Sequence, residues 1–153
     1  MRVPGPAAAL ATAGLVVAVD QATKQLVATN IARGDQVGVI PGLDFTNTRN
    51  TGVAFGALEG GGVIVAVLIG VSLALLLGYF AANRERPWLW LPVGMLLGGA
   101  LGNLADRARE GAVIDFIDPI AWPAFNVADS SIVLGVLVLL WVVEEGPRRR
   151  RST

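Results

Sequence analysis

Four stretches of this chain are each about as long as a bilayer is thick, which leaves few folds open to it. A helix that crosses a hydrocarbon core of about 30 Å, rising about 1.5 Å per residue, needs roughly 20 predominantly apolar residues. Residues of about 7–28, 61–82, 87–105 and 126–143 meet or approach that requirement. The second and third hold no charge, the first carries Asp20 and Lys24 toward its end, and the fourth carries Asp129 near its start. Composition agrees, with 54% hydrophobic and 16% charged residues where a soluble domain carries about 25% charged. The mean hydropathy is +0.61. The expectation is one membrane-embedded domain spanning residues 1–153, an all-α membrane protein with four transmembrane helices.

The first run could be read as a cleaved signal peptide, because Arg2 precedes it. Against this, Asp20 and Lys24 continue a helical pattern, and removing the run would leave an odd number of spans. An even number puts both termini on one side, and seven basic residues, four of them Arg148 to Arg151, fall there against four on the other. The excess of basic residues predicts cytoplasmic termini and two connections on the outer face. Trp88 and Trp90 open the third run as interfacial anchors. Lys+Arg and Asp+Glu balance at 12 each, so no global field recommends nucleic acid, and membrane lipids are the expected surroundings.

The outer connections are unequal in character. Between the first and second spans, Gln36 to Ile40 and Leu43 to Thr48 are short β-prone runs around a Pro41-Gly42 turn signal, predicting a small extracytoplasmic β-rich cradle between these helices. The second connection, Arg107 to Phe125, contains an apolar Ala112 to Ile117 run with Pro119, Trp122 and Pro123. Irregular or re-entrant chain shielded by protein is expected there, because loop backbone is not tolerated in lipid.

The chain has no cysteine and no histidine. That excludes disulfides, thiolate nucleophiles, Ser/His or Cys/His triads and the usual zinc sets. Acid–base chemistry is left mainly to carboxylates. Asp20, Asp106, Asp115, Asp118 and Asp129 all fall where the outer ends of the spans should lie, and an ionisable group at that depth asks for a reason. Asp115 is a lone carboxyl in an apolar run. Asp129 opens the last helix. As converging groups they would share a proton, one carboxylate activating water while the other polarises the scissile carbonyl. As separate groups, Asp129 would be an ordinary helix cap and Asp115 a loop residue; spacing alone favours this plainer account. Asp20 and Lys24, four apart, share a helix face either as a neutralising pair or as a bracket for a site. Glycines at 94, 98 and 102 are explained by close helix packing, whereas Asn103 is a costly amide unless it bonds inward.

Five strings carry a further signal: Asp20-Gln21-Ala22-Thr23-Lys24, Asn50-Thr51-Gly52-Val53-Ala54-Phe55, Gly98 to Arg107, Val113 to Ile117, and Phe125 to Ser130. In this order and separation the chain resembles the lipoprotein signal peptidase family, also called signal peptidase II, the bacterial membrane aspartic peptidases. The resemblance covers nearly the whole chain. It implies Asp115 and Asp129 as catalytic dyad, with Asp20, Lys24, Asn50, Gly52, Asn103, Arg107 and Asn126 lining or supporting the site. It further implies four spans, cytoplasmic termini in the bacterial inner membrane, an outward-facing dyad, no metal and no cofactor. The implied substrate is a prolipoprotein already carrying diacylglycerol on its lipobox cysteine, cut just before that residue. Val53 departs from the alanine more usual in the family. Two other classes compete: a small ion-coupled transporter or channel, whose charges should sit mid-span, and a scaffold assembling through Gly94, Gly98 and Gly102. The oligomeric state is not legible in the sequence.

Overall fold

The computed structural model describes residues 5–52 and 61–144. The elements run α1 (Gly5–Asn30), β1 (Gln36–Ile40), β2 (Leu43–Asn50), α2 (Gly61–Ala82), α3 (Trp90–Glu110), β3 (Val113–Pro119) and α4 (Val127–Glu144). All four apolar runs are therefore helical. Among the described residues, α1 and α4 are long and apolar enough to cross a membrane, with a shorter apolar stretch at Val67–Ala82 in α2. The helical exterior is itself apolar: Leu10, Leu15, Leu75 and Leu137 are all more than half exposed. So broad an apolar surface requires a solvent other than water.

The third helix is displaced from its sequence-based bounds. It begins at Trp90 rather than Pro87, and it continues past Asp106 and Arg107 to a left-handed Gly111 C-cap, whose N–H bonds the Arg107 carbonyl at 3.0 Å. Charges end an apolar run without ending a helix, and Gly111 at φ +70° supplies the terminator.

Small residues let α3 pack closely between α1 and α4. A Cβ at Gly94 would lie 2.6 Å from the Ala9 carbonyl oxygen, one at Gly98 would lie 2.7 Å from that of Ala13, and one at Gly99 would lie 2.6 Å from that of Ala128. The glycine face expected of a scaffold is thus spent inside the fold, chiefly on α1. At the opposite end from the sheet, Ala9, Phe80, Leu89, Val93 and Val142 form a buried core. There Arg86, in the turn between α2 and α3, donates to the carbonyls of Val142 and Val143 at the end of α4.

The β1–β2 hairpin expected around Pro41-Gly42 is present, with Gln36 paired to Thr46 and Ile40 to Leu43. The expectation for the second outer connection is corrected. Instead of irregular chain it contributes β3, which pairs antiparallel with β2 from Leu43–Pro119 through Thr48–Asp115 to Asn50–Val113. The sheet is therefore three-stranded, β1-β2-β3, built from both the α1–α2 and the α3–α4 connections. Val113 to Phe116 are buried on both faces of the strand, so the alternation that marks a one-sided strand is missing.

Candidate active site

β3 and the start of α4 bring the two suspected carboxyls onto one residue, Asn126. Its side-chain amide donates to Asp115 Oδ1 at 2.7 Å, and its backbone N–H donates to Asp129 Oδ2 at 3.2 Å. Asn126 Oδ1 in turn accepts the backbone N–H of Asp129 at 2.9 Å. This reciprocal pair is a capping box. Asp129 is thus a helix-capping residue, as spacing suggested, and also a neighbour of Asp115.

Each carboxyl has a second asparagine. Asn50 Nδ2 donates to Asp115 Oδ2 at 3.0 Å, and Asn103 Nδ2 donates to Asp129 Oδ1 at 2.7 Å. Gly52 orients the first of these, because its N–H donates to Asn50 Oδ1 at 2.8 Å. That turn needs glycine, since Gly52 has φ +74°. Val53, Ala54 and Phe55, the rest of that string, lie outside the described residues.

The two carboxyls differ in surroundings. Asp115 is 3% exposed, and burial pushes its carboxyl above its ordinary pKa, with the negative charge of Asp129 adding to the rise; Asn50, Asn126 and Lys24 pull it back. Asp129 is half-buried in the first turn of α4, where the helix end favours a negative charge.

Behind the carboxyls lies a buried ionic cluster. Lys24 Nζ sits 2.8 Å from both Asp20 Oδ2 and Asp106 Oδ2, and donates to Asn103 Oδ1 at 2.9 Å. Asp20 Oδ1 accepts the Ala128 N–H at 2.9 Å, tying α1 to the start of α4, and Asp106 Oδ2 accepts the Ile114 N–H at 3.3 Å, tying α3 to β3. One lysine and two carboxylates therefore hold together three helices and the strand that carry the site. Gln21, an unforeseen member, donates to Asp20, the Gly102 carbonyl and Asp106. Its place beside Asp20 in the first string was the available signal. Arg107 touches this network only through Nη1, 3.5 Å from the Asn103 carbonyl oxygen. Asp118 stands apart on the sheet, accepting from Gln36 at 2.9 Å. No group of three or more acidic residues suited to a metal ion occurs among the described residues.

A family model described as signal peptidase (SPase) II matches residues 12–143. The chain is 43% identical over 129 residues to the lipoprotein signal peptidase of Moorella thermoacetica, covering 83% of this chain and 86% of that one. It is 41% identical over 131 residues to that of Pelotomaculum thermopropionicum, covering 84% and 86%. A solved structure described as a bacterial membrane enzyme superposes with a TM-score of 0.82 at 34% identity, covering 90% of this chain and 92% of that chain. With a family model matching most of its length and relatives well above 30% identity, the chain belongs to the signal peptidase II family.

Proposed function

We propose that the protein is a membrane aspartic endopeptidase that removes signal peptides from lipoprotein precursors, with Asp115 and Asp129 as its reacting pair. The observation that carries this reading is the convergence of both carboxyls on Asn126, each with a second amide donor, in a chain with no histidine or cysteine. The family relationship supplies the substrate class.

The surroundings divide the roles. Asp129, at a helix N-terminus, is the ionised member and takes a proton from the attacking water. Asp115, buried on a strand, is the protonated member and hydrogen-bonds the scissile carbonyl oxygen, stabilising the charge that develops there. Collapse of the tetrahedral intermediate returns the water-derived proton from Asp129 to the departing amine.

The finer reading has four spans, both termini in the cytoplasm and the dyad near the outer surface of the bacterial inner membrane. The substrate carries diacylglycerol on the cysteine that follows the scissile bond, and the β1–β2–β3 cradle positions the scissile strand. A lipidated signal peptide is itself a membrane segment, so a carboxyl pair where β3 meets the start of α4, beside a surface sheet, lies at a suitable depth. The transporter reading has less to support it, because the buried charges gather at one end of the helices rather than mid-span.

The test is to make Asp115→Asn and Asp129→Asn separately and follow cleavage of a diacylglyceryl-modified substrate in detergent. Both variants are expected to fold and to lose cleavage by at least about 1,000-fold, which corresponds to roughly 4 kcal/mol of transition-state stabilisation. An active variant at either position would remove the dyad.

A further inference from the structure

β2 is held unevenly along its length. Its pairing with β1 ends at Gln36–Thr46, and its register against β3 shifts between Phe45 and Thr48. Beyond that irregularity Thr48, Arg49 and Asn50 have β3 as their one strand neighbour among the described residues, lying opposite Asp115, Ile114 and Val113. Asn50, the last residue of β2, is the amide that donates to Asp115 Oδ2. The ladder alone therefore leaves this donor at a strand end supported from one side.

Arg49 supplies the other side. Side chains alternate across a strand, so Thr48 and Asn50 share the face of Asp115 while Arg49 projects from the opposite face. There its side chain is 12% exposed, with Nε 2.8 Å from Glu110 Oε2 and Nη1 donating to Asn47 Oδ1 at 2.6 Å. The Glu110 contact joins opposite charges without an aligned hydrogen bond from Nε. Asn47 is itself buried and donates from Nδ2 to the Ile31 carbonyl, just past the end of α1, at 2.7 Å. Glu110 is the last residue of α3. A carboxylate there opposes the helix dipole, so the charge that favours it is that of Arg49 rather than that of its own helix. One guanidinium thus ties the end of β2 to the ends of α1 and α3.

We propose that Arg49 is a positioning residue for the Asp115 carboxyl, fastening the end of β2 to α1 and α3 so that Asn50 stays within hydrogen-bond reach of Asp115. The proposal rests on the peptidase reading above and deepens it. The charges that act on Asp115 are those of Asp129 and Lys24, not that of Arg49. Arg49 therefore works through the strand and Asn50.

The experiment reads the alkaline limb of the pH–kcat profile with a diacylglyceryl-modified substrate in detergent. Arg49→Met keeps the stem and removes the guanidinium; Asn50 then donates less fully to ionised Asp115, and the protonated form persists to higher pH. The limb is expected to move up by at least about 0.5 pH unit, and by less than about 0.1 unit when the same change is made in an Asn50→Ala protein. Glu110→Gln removes only a charge, at a half-exposed position, and is expected to move the limb up by at least about 0.2 unit; it carries the measurement if Arg49→Met does not fold. Arg49→Lys, which keeps a cation beside Glu110, should recover part of the shift. A general loss of stability lowers the unfolding midpoint and leaves the limb where it was. An unmoved or lowered limb in Arg49→Met or Glu110→Gln would overturn the proposal, as would an equal shift with and without Asn50. Infrared titration of the Asp115 carboxyl, identified as the band missing from Asp115→Asn, reads the same shift without turnover. A parent protein that fails to cleave would overturn the peptidase reading, and the infrared shift would still decide the role of Arg49.

Discussion

Lys24 Nζ donates to Asn103 Oδ1 at 2.9 Å, and this bond decides which way the Asn103 amide faces. An ammonium group can only donate, so the oxygen of Asn103 must turn toward it, and the Asn103 NH₂ is left pointing at Asp129 Oδ1, 2.7 Å away. A lysine in the first helix thereby sets the hydrogen-bond polarity at a carboxylate in the last.

Replacing either residue should separate positioning from stability. Asn103→Leu removes a donor to a charged acceptor, a loss of about 1.5–3 kcal/mol, so kcat is expected to fall roughly 10- to 150-fold with KM little changed. Lys24 keeps Asp20 and Asp106 in that variant, so the thermal unfolding midpoint should fall little. Lys24→Met takes from Asp20 and Asp106 the cation they share, leaving Asp106 only the exposed Arg109 at 3.5 Å, and breaking a buried pair costs about 3–5 kcal/mol. A large fall in that midpoint is expected. Paired steady-state kinetics and thermal unfolding in one detergent check both; an Asn103→Leu enzyme with unaltered kcat would remove its positioning role.

The sequence carried much of this arrangement, but unevenly. The i,i+4 spacing of Asp20 and Lys24 places them on one helix face, and the ion pair between them follows. Their third partner, Asp106, is distant in the chain, and no local pattern links it to Lys24. β3 was hidden for a related reason: Val113 to Phe116 are buried on both faces, so they lack the alternation by which a half-exposed strand is recognised, and their partner strand precedes two helices. Of the three asparagines at the carboxyls, Asn103 is legible as an amide that must bond inward, whereas Asn50 and Asn126 are legible only as members of the five strings, because an amide's role depends on which acceptor it faces.

The Asp115 environment makes the pH dependence directional. Burial and the charge of Asp129 raise its carboxyl, whereas Asn50 lowers it by donating to the charged form. In the proposed mechanism Asp115 is the protonated member that polarises the carbonyl, so activity should fall as pH rises through this raised value, placing the alkaline limb of the kcat profile above the ordinary carboxylate range. Asn50→Ala removes the lowering donor and should move that limb to higher pH. Gly52→Ala, which strains the φ +74° turn that orients Asn50, should move it the same way by less. A pH–kcat series on the three proteins checks the order; a limb moving to lower pH in Asn50→Ala would contradict the assignment.

Helix packing around α3 leaves no room for added atoms at particular glycines. In Gly98→Ala the new methyl would sit 2.7 Å from both the Ala13 carbonyl oxygen and Val16 Cβ, and overpacking typically costs about 1–3 kcal/mol. Gly102→Ala would place its methyl 2.7 Å from Asp20 Oδ2, so activity should suffer along with stability, because Asp20 also holds the Ala128 N–H at the start of α4. Gly78→Ala meets nothing within 4 Å and should be neutral or slightly stabilising, alanine being the better helix former. Unfolding midpoints in the order Gly78→Ala, Gly98→Ala, Gly102→Ala, with cleavage lost most in the last, would bear this out; a Gly98→Ala protein as stable as the parent would contradict the packing argument.

The far end of α4 is held by Arg86 and should matter for stability alone. Its guanidinium donates to the Val142 carbonyl from Nε at 3.0 Å and from Nη2 at 2.7 Å, and Nη2 also donates to the Val143 carbonyl. A helix leaves its last four carbonyls without internal partners, and Val142 is fully buried, so water is poorly placed to replace the arginine. Arg86→Met should therefore lower stability by about 1–3 kcal/mol, the cost of an unsatisfied buried acceptor. Val142 lies thirteen positions after Asp129 along the helix, about 20 Å at 1.5 Å per residue, and Arg86 touches neither carboxyl nor any amide that serves them. Unfolding midpoint and kcat/KM measured on one preparation should then part company, the first falling and the second unchanged per folded molecule; a matching loss of kcat/KM would show that the ends of α4 are mechanically coupled.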